Sequence, residues 1–131
     1  KTIGEGTYGI VKLAFDKVAQ KYVALKIMKP EVDSKIVKEI TILRMINHKN
    51  ITNIIDILFK ATYKKKNGKV VIRDIIVMDL AEKGDLFAFL KTGFNLNEPE
   101  LPDPVLRALF HQLVEAVEHC HKNGIVHRDI K

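Results

Sequence analysis

Asp129, with Arg128 before it and Lys131 two positions on, is a carboxylate between two cations, placed just after the apolar pair Ile125 and Val126. Such a group should stay ionised and can accept a proton. Alone, the string His127-Arg128-Asp129-Ile130-Lys131 reads equally as a charged turn after a short buried strand. Near the other end, Gly4, Gly6 and Gly9 form a G-x-G-x-x-G pattern, whose side-chain-free backbone lets N–H groups approach phosphate oxygens. Lys26 is a cation inside the apolar run from Tyr22 to Met28. Either its stem lies along a sheet with the ammonium in water, or the ammonium meets a phosphate under the glycines. Glu39 gains meaning only as a partner for Lys26. The chemistry on offer is anion binding at one end of the chain and proton acceptance at the other.

The elements that must carry these groups follow from hydrophobic period. A dinucleotide-binding fold would open a helix at the third glycine. Instead Val11, Leu13 and Phe15 alternate with Lys12, Ala14 and Asp16, which predicts a strand and puts the glycines at the bend of an antiparallel hairpin. The run 22–28 predicts a third strand, ended by Pro30. From Asp33 or Ser34 as cap, Ile36, Val37, Ile40, Leu43 and Met45 or Ile46 recur with helical period. Stretches 51–59 and 70–78 predict a fourth and a fifth strand around Asn67-Gly68, a strong hairpin signal. A short helix is expected over 86–90 and a loop over 95–102. Asp103 is then expected to cap a helix with Pro104 at its first position. Its apolar face would be Leu106, Leu109, Phe110, Leu113, Val117 and Cys120, stopped at Gly124.

Composition narrows the classes. At 131 residues, 47% apolar and 29% charged, the chain is ordinary for one globular domain. No apolar run approaches the roughly 20 residues needed to cross a bilayer, so no membrane partner is expected. The net charge of +6 invites nucleic acid, but no Trp is present and no stretch interleaves aromatics with Lys or Arg. Nucleic acid is therefore not expected as a partner. The lysines at 64, 65, 66 and 69 read as a solvated hairpin tip. His111, His119 and His121 cannot all share one helix face and have no acidic set beside them, so zinc is not expected. The single Cys120 cannot form an internal disulfide and is read as a small core residue in a reducing compartment, cytoplasmic or nuclear. Lys1-Thr2-Ile3-Gly4 reads as a cut start. Nothing signals an oligomeric state.

Taken in order, Gly4-x-Gly6-x-x-Gly9-x-Val11, Val23-Ala24-Leu25-Lys26, Glu39 before His48-x-Asn50-Ile51, Val77-Met78-Asp79-Leu80 and His127-Arg128-Asp129-Ile130-Lys131 resemble the eukaryotic protein kinase domain. The resemblance covers the whole chain, from the first strand of the small lobe to the middle of the catalytic loop. It implies an α+β, protein-kinase-like fold. The small lobe, an antiparallel β-sheet plus one helix, would span 1–78 and the hinge 79–85. The first helices of an incomplete helical large lobe would occupy 86–131.

The resemblance also implies roles in ATP-dependent phosphoryl transfer to Ser or Thr of a protein substrate. Gly4, Glu5, Gly6, Thr7, Tyr8 and Gly9 would cover the ATP phosphates, and Ile3, Val11 and Ala24 would roof the adenine. Lys26 would hold phosphates with Glu39 as its ion-pair partner; the interval between them is short for the family, so the connection should be tight. Met78 would be the gatekeeper. Asp79, Leu80 and Ala81 would bond the adenine edge, and Asp85 would reach the ribose. Leu43, Ile54 and His127 would pack between lobes, and His121 would support the catalytic loop. Asp129 would orient the substrate hydroxyl and Lys131 would steady the γ-phosphate, an arrangement resembling Ser/Thr kinases. The Mg2+ ligands would lie beyond Lys131, so the chain as given is expected to be inactive alone. The alternative is a pseudokinase or truncated regulatory fragment that binds nucleotide or a partner without catalysis. The string 4–9 is also similar to the glycine loop of cyclin-dependent kinases, which would make Thr7 or Tyr8 a phosphorylation site.

Overall fold

The computed structural model describes residues 1–32, 40, 44, 46–88 and 102–130. The chain divides into two compact units, one of Lys1–Asn47 with Thr52–Leu80 and one of His48–Ile51 with Ala81–Lys131.

The first unit is an antiparallel sheet in the order β1-β2-β3-β5-β4, with β1 Thr2–Glu5, β2 Gly9–Asp16, β3 Lys21–Met28, β4 Ile54–Lys64 and β5 Val70–Asp79. The expected glycine hairpin and third strand are both present. Between β2 and β3 the chain turns on Asp16, whose Oδ1 accepts N–H bonds from Val18 at 2.8 Å and Ala19 at 3.0 Å. Those two donors hold the Asp16 carboxyl below its ordinary value. This is an Asx turn, a local bond that competes successfully with strand continuation.

The fourth and fifth strands differ from expectation. β4 starts at Ile54 instead of Ile51 and runs on through Lys64. Residue Ile51 belongs to a turn in which its N–H donates to the His48 carbonyl at 3.0 Å. At the far end, alternation continues through Ala61, Thr62, Tyr63 and Lys64, which pair with Arg73, Ile72, Val71 and Val70. Lysines that end in water do not interrupt an edge ladder. The register slips between Leu58 and Ala61, where Lys60 adopts φ 51° and donates its N–H to Asp74 Oδ1 at 2.7 Å.

The core of this unit is small and aliphatic. Met28, Ile57 and Ile76 form its centre, with Val32, Ile40 and Ile54 packed against it. Burying each such side chain is worth about 1.5–3 kcal/mol. Ile40 is helical, but most of the helix read over 33–46, Leu43 included, lies outside the described residues.

In the second unit, Leu86, Phe87 and Ala88 are helical, and the expected residues 89–90 and 95–101 lie outside the description. α1 spans Asp103–Lys122. Its cap is Pro102, not Asp103 as expected; the Pro102 carbonyl accepts from Val105 at 2.9 Å and Leu106 at 3.1 Å. Proline has no side-chain oxygen to cap with, and Asp103 sits one position inside, where it favours the positive helix end. At the other end Gly124 takes φ 73°, donating to His121 O at 3.0 Å while Ile125 donates to Cys120 O at 2.9 Å. That pair of bonds is a Schellman closure, which favours glycine at the left-handed position. No residue of α1 is buried, and Cys120 is half-buried instead of a core residue, because Leu106, Phe110 and Leu113 face solvent. Among the described residues no helix is long and apolar enough to cross a membrane.

Candidate functional site

The three glycines of the hairpin are not equivalent. Gly6 closes the bend by donating to the Gly9 carbonyl at 2.9 Å, and a Cβ there would meet nothing. A Cβ on Gly4 would make ordinary contact with Val11. A Cβ on Gly9 would collide with the Ile27 carbonyl oxygen. Gly9 is thus required by strand-to-strand approach, independently of any ligand. The Tyr8 carbonyl accepts the Lys29 N–H at 3.0 Å, which ties the bend to the end of β3. Tyr8, half exposed at the bend, lays its ring near Lys26, with Nζ 5.7 Å from the centroid. A contact of this type contributes about 0.5–1 kcal/mol at a solvated site.

Strand register assembles the next part. Directly paired residues share a face. Val11 pairs with Lys26 and Leu13 with Ala24; Lys26 pairs with Ile76 and Ala24 with Met78; Ile57 pairs with Ile76 and Ile54 with Met78. Val11, Ala24, Lys26 and Met78 therefore occupy one face, continuous with the Met28, Ile57 and Ile76 cluster. Lys26, half-buried, lies on that face between Val11 of β2 and Ile76 of β5. Ile3, in β1, is 45% exposed, next to a register slip between Thr2 and Gly4. Glu5 pairs with Ile10, and Glu5 and Thr7 are exposed. Glu39 lies outside the described residues.

Asp79 ends β5. Its carboxylate accepts from Lys21 Nζ at 3.1 Å and Asn53 Nδ2 at 3.2 Å, and its N–H donates to the Asn53 carbonyl at 3.1 Å. Sequence reasoning missed this brace, although an acid ending a strand with a lysine at the start of the paired strand was a usable signal. In the second unit the Ala81 carbonyl accepts the Gly84 N–H at 3.3 Å. Asp85 Oδ1 accepts the Ala88 N–H at 2.6 Å, so one carboxylate oxygen caps the short helical turn.

The terminal turn is built on His127, whose Nδ1 accepts the Asp129 N–H at 3.2 Å, with Arg128 between them at φ 63°. All of 126–130 is exposed. His127, expected as a packing residue, here fixes the turn through its ring nitrogen. Lys131 lies outside the described residues. His121 is exposed and contributes its carbonyl to the Schellman closure.

A second, unforeseen turn has the same form. His48 Nδ1 accepts the Asn50 N–H at 3.2 Å. Asn50 Nδ2 then donates to Glu115 Oε2 at 2.9 Å and to the Gln112 carbonyl at 3.1 Å. Lys49 Nζ lies 3.0 Å from Glu115 Oε2, and the His48 ring stacks on His119 at 4.9 Å. The Lys49 bond, before the others, holds the Glu115 carboxyl below its ordinary value. Among the described residues no group of His, Cys, Asp and Glu could hold a metal ion.

Comparison with known proteins gives this geometry a family. The protein kinase domain family matches residues 1–131. Testis-specific serine/threonine-protein kinase 3 of Mus musculus is 42% identical over 137 residues, covering 100% of this chain and 46% of the relative. NUAK family SNF1-like kinase 1 of Homo sapiens is 36% identical over 137 residues, covering 100% of this chain and 18% of the relative. The chain thus spans less than half the length of these relatives. The crystal structure of Rad53 1–466 in complex with AMP-PNP superposes with a TM-score of 0.75 at 24% identity, covering 100% of this chain and 31% of that one; at that identity the likeness speaks for the fold. The glycine hairpin, the lysine-bearing β3 and the His-Arg-Asp turn follow one another along a family match that runs the full length, and the chain belongs to the protein kinase domain family.

Proposed function

We propose that the protein carrying this chain transfers the γ-phosphoryl group of ATP to serine or threonine hydroxyls of protein substrates. The observation that carries the reading is the register that gathers Val11, Ala24, Lys26 and Met78 on one sheet face beside the glycine hairpin. Val11, Ala24 and Ile3 would cover the adenine, and Met78 would bound it. Backbone groups of Asp79, Leu80 and Ala81 would bond its edge, with the Asp79 N–H excluded because Asn53 already takes it. The remaining oxygen of Asp85 would serve the ribose. Lys26, oriented by Glu39, would neutralise phosphate charge as it develops, where a fixed cation is most effective. Asp129 would align the acceptor hydroxyl and take its proton, and Lys131 would steady the departing phosphoryl group. Among the described residues no group of His, Cys, Asp and Glu could hold Mg2+. The names of the relatives and the lysine two positions after Asp129 support Ser/Thr over Tyr acceptors. The single cysteine supports a cytoplasmic or nuclear setting.

The test uses the full-length protein. Lys26→Ala should weaken ATP binding and lower kcat by about 100-fold or more, with phosphoserine and phosphothreonine as the wild-type products. Unchanged ATP affinity in the variant would overturn the site. Phosphotyrosine products would overturn the acceptor class, and tight ATP binding with no transfer would favour the noncatalytic alternative.

A further inference from the structure

The β4–β5 hairpin carries a surface that phosphoryl transfer does not use. β4 is the last strand of the sheet order, so its outer edge has no strand partner among the described residues, and an edge of this kind is a template for another extended chain. At its tip Lys65 and Lys69 close the turn through an N–H to carbonyl bond of 2.8 Å. Lys64, Lys65, Lys66 and Lys69 are all exposed. None of them meets a carboxylate among the described residues, whose ion pairs use other cations. The acids of β4 and β5 are engaged elsewhere: Asp56 with Arg44, Asp74 with the Lys60 N–H and Asp79 with Lys21.

Apolar side chains share this end. Val70 is 57% and Ile72 63% exposed, and they pair with Lys64 and Thr62 respectively. Lys64, Val70, Thr62 and Ile72 therefore form one strip on one face, alternating in chemistry from the tip inwards. Tyr63, on the opposite face, is covered by Lys12, whose Nζ lies 5.2 Å from its ring centre, so no aromatic at the tip is left to stack on a base.

We propose that this edge docks an acidic, extended segment of a partner protein, which adds alongside β4 as a further strand. Main-chain bonds to β4 supply affinity, and alternate side chains supply specificity. A carboxylate falls beside Lys64 and the turn lysines, and a β-branched residue beside Thr62 and Ile72. A nucleic acid or an anionic bilayer would satisfy the lysines but leave the edge backbone unused.

The probe is a fluorescein-labelled peptide of about eight residues with the repeat Glu-Ser-Val-Ser, which sets Glu and Val in turn along one face and is long enough to match a typical strand, titrated into the full-length protein. Binding should strengthen as salt falls. It should weaken about tenfold or more when Lys64, Lys65 and Lys66 are all changed to Glu, while Lys17→Glu with Lys83→Glu leaves it unchanged. The same peptide N-methylated at alternate amides keeps its charge but cannot pair with an edge. It should bind wild-type protein far more weakly, a result independent of how any variant folds. Equal binding of the N-methylated peptide, or equal loss in the Lys17 and Lys83 variant, would overturn the proposal. So would phosphatidylserine vesicles or heparin binding through the tip lysines while the peptide does not.

Discussion

The turns at His48-Lys49-Asn50 and His127-Arg128-Asp129 share one form and differ in their last side chain, an amide in one and a carboxylate in the other. In each, a histidine Nδ1 accepts the N–H two residues on at 3.2 Å, with a cation in between and an Asx residue at the end. In the first, the Asx side chain is half-buried and both its donor bonds go into α1. In the second, the Asx side chain is a carboxylate and the whole turn is exposed. The backbones differ too: Arg128 is left-handed at φ 63°, whereas Lys49 is not among the positive-φ residues. A non-glycine residue held there costs on the order of 1–3 kcal/mol and persists where its surroundings impose it. One local frame therefore serves as a fastener when its last side chain donates into α1, and, under the proposed function, as the mount of the acid when that side chain is a carboxylate in an exposed turn.

The sharpest way to break this contrast is to exchange the last residues. Asp129→Asn in the full-length protein should lower kcat by about 100- to 10,000-fold and shift stability by no more than about 1 kcal/mol. A comparable kcat loss from Asn50→Ala would show the first turn to be more than a fastener. Asn50→Asp places a carboxylate against Glu115 and the Gln112 carbonyl, and should destabilise by about 2 kcal/mol, against about 1 kcal/mol for Asn50→Ala; denaturant unfolding measures both. Arg128→Gly relieves the left-handed backbone and should gain up to about 1 kcal/mol, while slowing transfer several-fold because the mount is looser. A loss of stability would mean that the Arg128 side chain holds the turn. The smallest effect is pH-dependent. The Glu115 carboxyl is held below its unfolded-state value of 4.5, so its bonds to Lys49 and Asn50 are at full strength above that value. They are lost as pH falls through the lowered one. Asn50 side-chain amide exchange, followed by NMR from neutral pH downward, should quicken only below that range.

Most of the sheet was legible because its signals are local. Alternation in 11–15 and the apolar run 22–28 mark strands, and Asn67-Gly68 marks a reversal. Where β4 departs from expectation, the deciding interaction is distant in sequence. β4 loses Ile51 to the His48 turn, which is held by α1, and it gains Ala61 to Lys64 because β5 is there to pair with them. Asp103 looked like a cap from its type alone, yet a proline carbonyl does that work. Of the candidate site, the shared face of Val11, Ala24, Lys26 and Met78 follows from register, which the hairpin connections nearly determine. The brace of Lys21 and Asn53 on Asp79, and the ring of Tyr8 beside Lys26, join residues that no spacing rule connects.

The Schellman closure of α1 has a consequence for the carboxylate that follows it. Ile125 is bonded back to Cys120, so the chain leaving the helix is anchored at Ile125, and Asp129 hangs on a tether of only four residues. Fully extended, such a tether reaches about 14 Å, and the His127 bond shortens it further. Gly124 thereby acts as the corner from which the stretch carrying Asp129 leaves the helix. A residue there with a Cβ would strain the left-handed corner at φ 73° and shift where Asp129 stands without touching it.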